Sequence, residues 1–124
     1  AALGAMQTFV SAEQAVRSGD LASALTLAQK AVDGDPTQAD YAALLGWVKW
    51  LSSDGTAPGE AIMMMSFVLY KEPSNERALL YRAKLLARSH RIDKALADLH
   101  ALISINPQNL DAQVELRALE MKIG

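Results

Sequence analysis

The sequence predicts an all-α fold built from antiparallel helical hairpins stacked side by side. Three observations predict it. Alanine and leucine supply most of an apolar content of 51%, aromatics are only 6%, and β-branched residues are few, a mix that favours helix over sheet. Three prolines, Pro36, Pro73 and Pro107, each close an amphipathic stretch ("DGDP", "YKEP", "SINP"). Small residues keep a fixed register to those prolines. Ala24, Ala61 and Ala95 lie twelve residues before them, and Ala12, Gly46 and Ala83 precede these alanines by 12, 15 and 12.

The elements follow in order as seven helices near 3–18, 21–33, 38–52, 57–71, 75–89, 92–104 and 109–122. Leu79, Ala83, Leu86 and Ala87 recur at helical spacing, then "SHR" breaks the pattern. Ile92, Ala95, Leu96, Leu99, Leu102 and Ile103 form the next apolar stripe. Asn75 and Asn109, two residues past a proline, suit helix N-caps, and Gln38 is a poor one. Gly19 sits at a helix end where a left-handed residue is favoured, and His90 takes that place in the third unit. "RSGDLASAL" from Arg17 matches "RSHRIDKAL" from Arg88 at Arg, Ser, Ala and Leu. The 15-residue spacing calls for a three-residue insertion in "SSDGTAPGE". The last helix has no partner, and Gln113, Glu115, Arg117, Glu120 and Lys122 are expected to face water as a cap.

The 37- and 34-residue proline spacings, the small–small pairs (Ala12/Ala24, Gly46/Ala61, Ala83/Ala95) and the closing prolines resemble the tetratricopeptide repeat family. The resemblance implies a short right-handed superhelix. It spans a single domain, 1–124, with repeats near 5–38, 39–75 and 76–109 and a capping helix near 109–122. The family's usual aromatic early in the first helix is replaced by Thr8, Ala42 and Leu79.

Composition excludes several functions. There is no cysteine, so no disulfide, thiolate metal site or cysteine nucleophile. The net charge of -2 creates no global attraction to nucleic acid, whose binding would rest on Arg82, Lys84, Arg88, Arg91 and Lys94 alone. No apolar run approaches a membrane span, so no insertion is expected. With no signal peptide visible, the expected location is cytoplasmic. The start lacks an initiator methionine and reads as a processed segment or a piece of a larger protein or assembly. His90 and His100 pair with no nucleophile, "DGDPTQAD" lacks calcium-loop spacing, and no glycine-rich phosphate loop exists. The expectation is a non-catalytic binding module without metal or cofactor.

The resemblance also implies where a partner would sit. Groove-facing positions would be Met6, Phe9, Glu13, Val16 and Arg17, then Asp40, Ala43, Trp47, Trp50 and Leu51, then Arg77, Leu80, Lys84, Ala87 and Arg88. Trp47 and Trp50 share a helix face, and Arg77, Tyr81, Lys84 and Arg88 make a basic stripe on the next first helix. At least one tryptophan is expected to be open to the groove, which would bind a protein or peptide with an apolar anchor near acidic residues. Some members of the family clamp a chaperone's C-terminal carboxylate. The matching positions here are Phe9, Glu13, Leu44, Arg77 and Tyr81, of which Arg77 alone fits, so that role is not expected.

A second surface is legible in "MMM". Met65 belongs to the buried stripe with Ala61, Ile62, Val68 and Leu69. Met63, Met64, Phe67 and Tyr70 belong to an apolar outer side, whose counterparts in the third repeat are Ala97, Asp98, Ala101 and Ser104. The alternative reading is a homo-oligomerisation or packing module that uses this side.

Overall fold

The computed structural model describes residues 2–54 and 57–123, the side chains of residues 2, 3 and 123 excepted. Gly55 and Thr56, in the predicted insertion, lie outside the described residues. So do Ala1 and Gly124, the ends of the predicted domain.

Among the described residues there are seven helices: α1 (Ala2–Arg17), α2 (Leu21–Gly34), α3 (Ala39–Ser52), α4 (Gly59–Lys71), α5 (Glu76–Arg88), α6 (Ile92–Ile105) and α7 (Leu110–Ile123). Each packs chiefly on its neighbours in sequence, and the first helices α1, α3, α5 and α7 also touch one another. None of them is long and apolar enough to cross a membrane.

The helix ends follow the local chemistry. Asn75 Oδ1 accepts from the Ala78 N–H at 2.9 Å, and Asn109 Oδ1 from the Ala112 N–H at 3.0 Å. Gln38 makes no side-chain cap bond. The same asparagines stitch repeat to repeat. Asn75 Nδ2 donates to Asp40 of α3 at 2.8 Å, and Asn106 and Asn109 donate to Glu76 of α5 at 2.9 and 3.1 Å. Gly19 and His90 both hold left-handed backbone, with φ of 80° and 60°.

The small residues let helices approach. Ala12, Ala24, Ala83 and Ala95 are fully buried between the helices of their hairpins. A Cβ on Gly46 would lie 2.8 Å from Met64 Cγ and 3.1 Å from Met65 Cε, so α3 and α4 close at a distance only glycine allows. Around these contacts the core forms two clusters. One joins α1, α2 and α3, the other runs from α3 to α7, and Tyr81 packs against both. Leu44, Val48, Met65, Leu85, Leu99 and Leu102 are its largest fully buried side chains, each contributing about 1.5–3 kcal/mol by burial.

One expectation needs correction. Asp98, placed by periodicity on the outer side of α6, is buried, because Arg82 reaches it with two bonds of 2.7 and 2.8 Å and also donates to Ser66 Oγ at 3.2 Å. A buried carboxylate is stable only when so paired. On α7, Gln113, Arg117, Glu120 and Lys122 face water as expected and Glu115 is half-buried; Leu110, Val114 and Met121 are exposed as well, at 72%, 66% and 78%.

Candidate partner-binding groove

The first helices lie side by side and leave a groove of about 410 Å³. Glu13, Val16 and Arg17 of α1 form one wall, Leu44 and Trp47 of α3 the floor, and Arg77, Leu80, Tyr81 and Lys84 of α5 the other wall. Asp111, at the start of α7, marks its far edge.

Stacked rings lie in and around the floor. Trp47 and Tyr81 are parallel within 3° at 4.7 Å, and Trp50 tilts against Trp47 at 5.2 Å. Phe9 stacks on Tyr41 at 4.7 Å. The cations of α5 cover these rings. Arg77 lies 4.9 Å from the Phe9 ring, Lys84 5.7 Å from Trp47 and Arg88 5.1 Å from Trp50. Such contacts contribute about 0.5–2 kcal/mol each, more as water is excluded.

This arrangement corrects the reading of the aromatic strip. Trp47 and Trp50 are 8% and 4% exposed, and Phe9 is buried as well. Neither tryptophan stands open in the groove. The reason is the spacing of adjacent first helices, about 8–10 Å. At that distance the long side chains of Tyr81, Lys84 and Arg88 reach back over the preceding helix and cover its indoles. The aromatic strip and the basic stripe are one packed layer, with the indoles beneath the side chains of α5. Leu51 is half-buried, and Arg88 remains exposed over Trp50.

Much of the positive charge is also held internally. Arg77 Nη1 is 2.7 Å from Glu13 Oε2, its Nε is 3.8 Å from Asp40, and it donates to Tyr81 Oη at 3.4 Å. Burial works against its charge, but Tyr81 and Glu13 more than offset this, and its pKa is raised. Burial pushes the Tyr81 phenol up, and Arg77 opposes the shift. Lys84 reaches Glu115 of α7 at 3.8 Å. Glu13 was legible as groove-facing, but its pairing with Arg77 across two repeats was not. No local spacing signals a partner 64 residues away.

The second surface lies on α4. Met63, Phe67 and Tyr70 are 73%, 59% and 84% exposed, Met64 is partly covered and Met65 is fully buried. Lys71 sits 4.8 Å over the Phe67 ring. Between this surface and α3 lies a cleft of about 420 Å³, lined by Gly46, Trp50, Met63 and Met64 among others. Among the described residues, the buried Trp50 indole N–H meets no hydrogen-bond partner.

No family model matches the sequence, and no curated protein matches it. Solved structures do match. The first TPR domain of human RPAP3 superposes with a TM-score of 0.79 at 15% identity, over 99% of this chain and 94% of that one. The chain has a tetratricopeptide-repeat fold. The TPR domain of Arabidopsis OM64 gives 0.76 at 17%, covering 98% of both chains. The first TPR of Spaghetti (RPAP3), bound to the HSP90 peptide SRMEEVD, gives 0.76 at 15% over 99% and 95%. In this TPR stack, the one arginine that fits the family's carboxylate clamp is already bonded to Glu13.

Proposed function

We propose that the chain is a non-catalytic protein-interaction module that takes a peptide segment of a partner in its concave groove. The observation that carries this reading is the groove itself. It is continuous across the first helices and sits on a rigid aromatic floor, with half-buried Leu80 and Tyr81 on one wall. The TPR neighbour with a bound HSP90 peptide supports the same use of the fold. The partner segment carries an apolar anchor that rests on Leu80 and the Tyr81 edge. Acidic residues beside it meet Lys84, whose contact to Glu115 is long and partly exposed, and Arg88, which has no carboxylate within bridging distance among the described residues. The buried tryptophans support the floor rather than touch the anchor.

The test is selection from a random peptide library displayed against the protein, followed by titration of the selected peptides. Enrichment of apolar–acidic segments, with binding weakened at least threefold by Lys84→Glu and abolished by Leu80→Glu, is expected. Selected peptides that bind both variants as well as the wild type would place the site elsewhere.

A second reading is favoured by the exposure of Met63, Phe67 and Tyr70. This strip would serve as a packing surface for self-association, and Phe67→Glu would then shift the protein toward monomer in sedimentation while leaving helicity intact.

A further inference from the structure

Leu110, Val114 and Met121 form one apolar stripe along the exposed face of α7, and their register says what such a stripe does in this stack. They occupy the first, fifth and twelfth positions of their unit. The fifth and twelfth positions of the earlier units are Phe9 and Val16, Ala43 and Trp50, Leu80 and Ala87, all buried or half-buried. In each of those units the face meets the next first helix, as Phe9 meets Tyr41. On α7 the same face continues the stacking interface.

Two neighbouring faces narrow the choice of what covers it. The fourth, eighth and eleventh positions, which pack each first helix on its hairpin partner, are buried Leu79, Ala83 and Leu86 in α5. In α7 they are Gln113, Arg117 and Glu120, all exposed, so a further repeat of this kind has no apolar face to complete. At the other end of the stack, the leading face of α1 carries exposed Gln7, Ser11 and Gln14 along its centre, with exposed Met6 and Val10 only at its groove edge. A second copy stacking head-to-tail would place those polar groups on the stripe.

We infer that α7 pairs with α7 of a second copy, antiparallel about a two-fold axis. The pairing is self-complementary, as a two-fold interface requires. It buries Leu110, Val114 and Met121 of both copies and brings the exposed Arg117 of each near the axis, a like-charge contact that weakens the pairing. Charge selects the direction. Asp111 and Lys122 are exposed on the same edge of the stripe, eleven residues or about three turns apart. Antiparallel pairing sets Asp111 of each copy beside Lys122 of the other, whereas parallel pairing puts the two charged edges on opposite sides of the seam, where neither charge meets a partner. One helix a side is less than a standard interface of about 1,600 Å², so the dimer is concentration-dependent. It leaves the α4 strip free.

Sedimentation equilibrium over a range of protein concentrations tests this, with circular dichroism and melting confirming that each variant folds. The wild type is expected to dimerise, and Val114→Glu to weaken dimerisation about tenfold or more. Asp111→Lys and Lys122→Asp should each weaken it, because each homodimer then meets like charge twice. An equimolar mixture of the two variants should recover association, since the heterodimer restores opposite charges at both edges. A wild type that stays monomeric, a dimer lost on Phe67→Glu but indifferent to Val114→Glu, or a mixture no tighter than its components would overturn the inference.

Discussion

The phenol ring of Tyr81 lies flat on the indole of Trp47, 4.7 Å away and within 3° of parallel. One residue belongs to the first helix of the third repeat and the other to the first helix of the second, so the stack joins the repeats at the floor of the groove. The groove floor is therefore also part of the core. Removing either ring is expected both to destabilise the fold and to deform the groove.

Trp47→Ala is expected to cost about 3–5 kcal/mol in urea unfolding, the range for truncating a buried large aromatic. Tyr81→Leu, which keeps much of the volume but loses the ring stacking, should cost less, about 0.5–1.5 kcal/mol. In the folded wild type the tryptophan emission should be blue-shifted and poorly quenched by iodide. Strong iodide quenching would contradict the burial of both indoles.

Much of this fold is legible in the sequence because its signals are local and repeated. The proline period, the small–small pairs and the asparagine caps each constrain one turn or one hairpin, and Met63 and Met65 separate into outer and inner residues by helical phase alone. The site was less legible because it depends on contacts between repeats. Trp47, Lys84 and Glu13 do fall at positions that line the groove. Whether Trp47 is open depends on Tyr81 and Lys84 reaching back from the next helix, and whether Arg77 is free depends on Glu13 and Asp40. Arg82 and Asp98 show the same limit, since each looks solvated on its own helix and Asp98 is buried only because half-buried Arg82 covers it.

That pair gives a second prediction. Arg82 holds Asp98 by two bonds, and its side chain is about a quarter exposed. Asp98→Ala strands a half-buried cation, and a loss of about 2–3 kcal/mol is expected, somewhat below the range for a fully buried pair because water can reach Arg82. Replacing both partners by leucine should be close to neutral, within about 1 kcal/mol. Equal losses in the single and double variants would show that the pair contributes through packing rather than charge.

Glu13 and Arg77 give a third. Their side chains are about a quarter exposed at a 2.7 Å contact, so Glu13→Gln is expected to cost no more than about 1 kcal/mol of stability. It should free Arg77 toward the groove and tighten binding of acidic peptides in titrations at low salt, an effect that shrinks as salt rises. The peptide SRMEEVD, which the RPAP3 domain binds, should bind the wild type no better than a scrambled version. Here Phe9, Glu13, Leu44 and Tyr81 stand where a carboxylate clamp needs donors. Tight, sequence-specific binding of that peptide would mean that another part of the groove recognises it.

The fourth prediction compares two helix ends with the same geometry and different residues. After α1, the N–H of Gly19 donates to Val16 at 3.1 Å and that of Asp20 to Ala15 at 2.9 Å. After α5, the N–H of His90 donates to Ala87 at 3.1 Å and that of Arg91 to Leu86 at 2.9 Å. Both are Schellman turns with the left-handed residue just past the helix. Gly19 adopts φ of 80° at no steric cost, whereas His90 at 60° sets its Cβ against the following carbonyl. That strain costs about 1–2 kcal/mol, and glycine's greater freedom in the unfolded chain returns about 0.5–1 kcal/mol of it. His90→Gly should therefore raise stability by about 0.5–1 kcal/mol, and Gly19→His should lower it by a similar amount, both read from urea unfolding midpoints at constant slope. The His90 side chain is exposed, so no packing term opposes the gain. A loss of stability in His90→Gly would reveal that the imidazole holds the turn by a contact of its own.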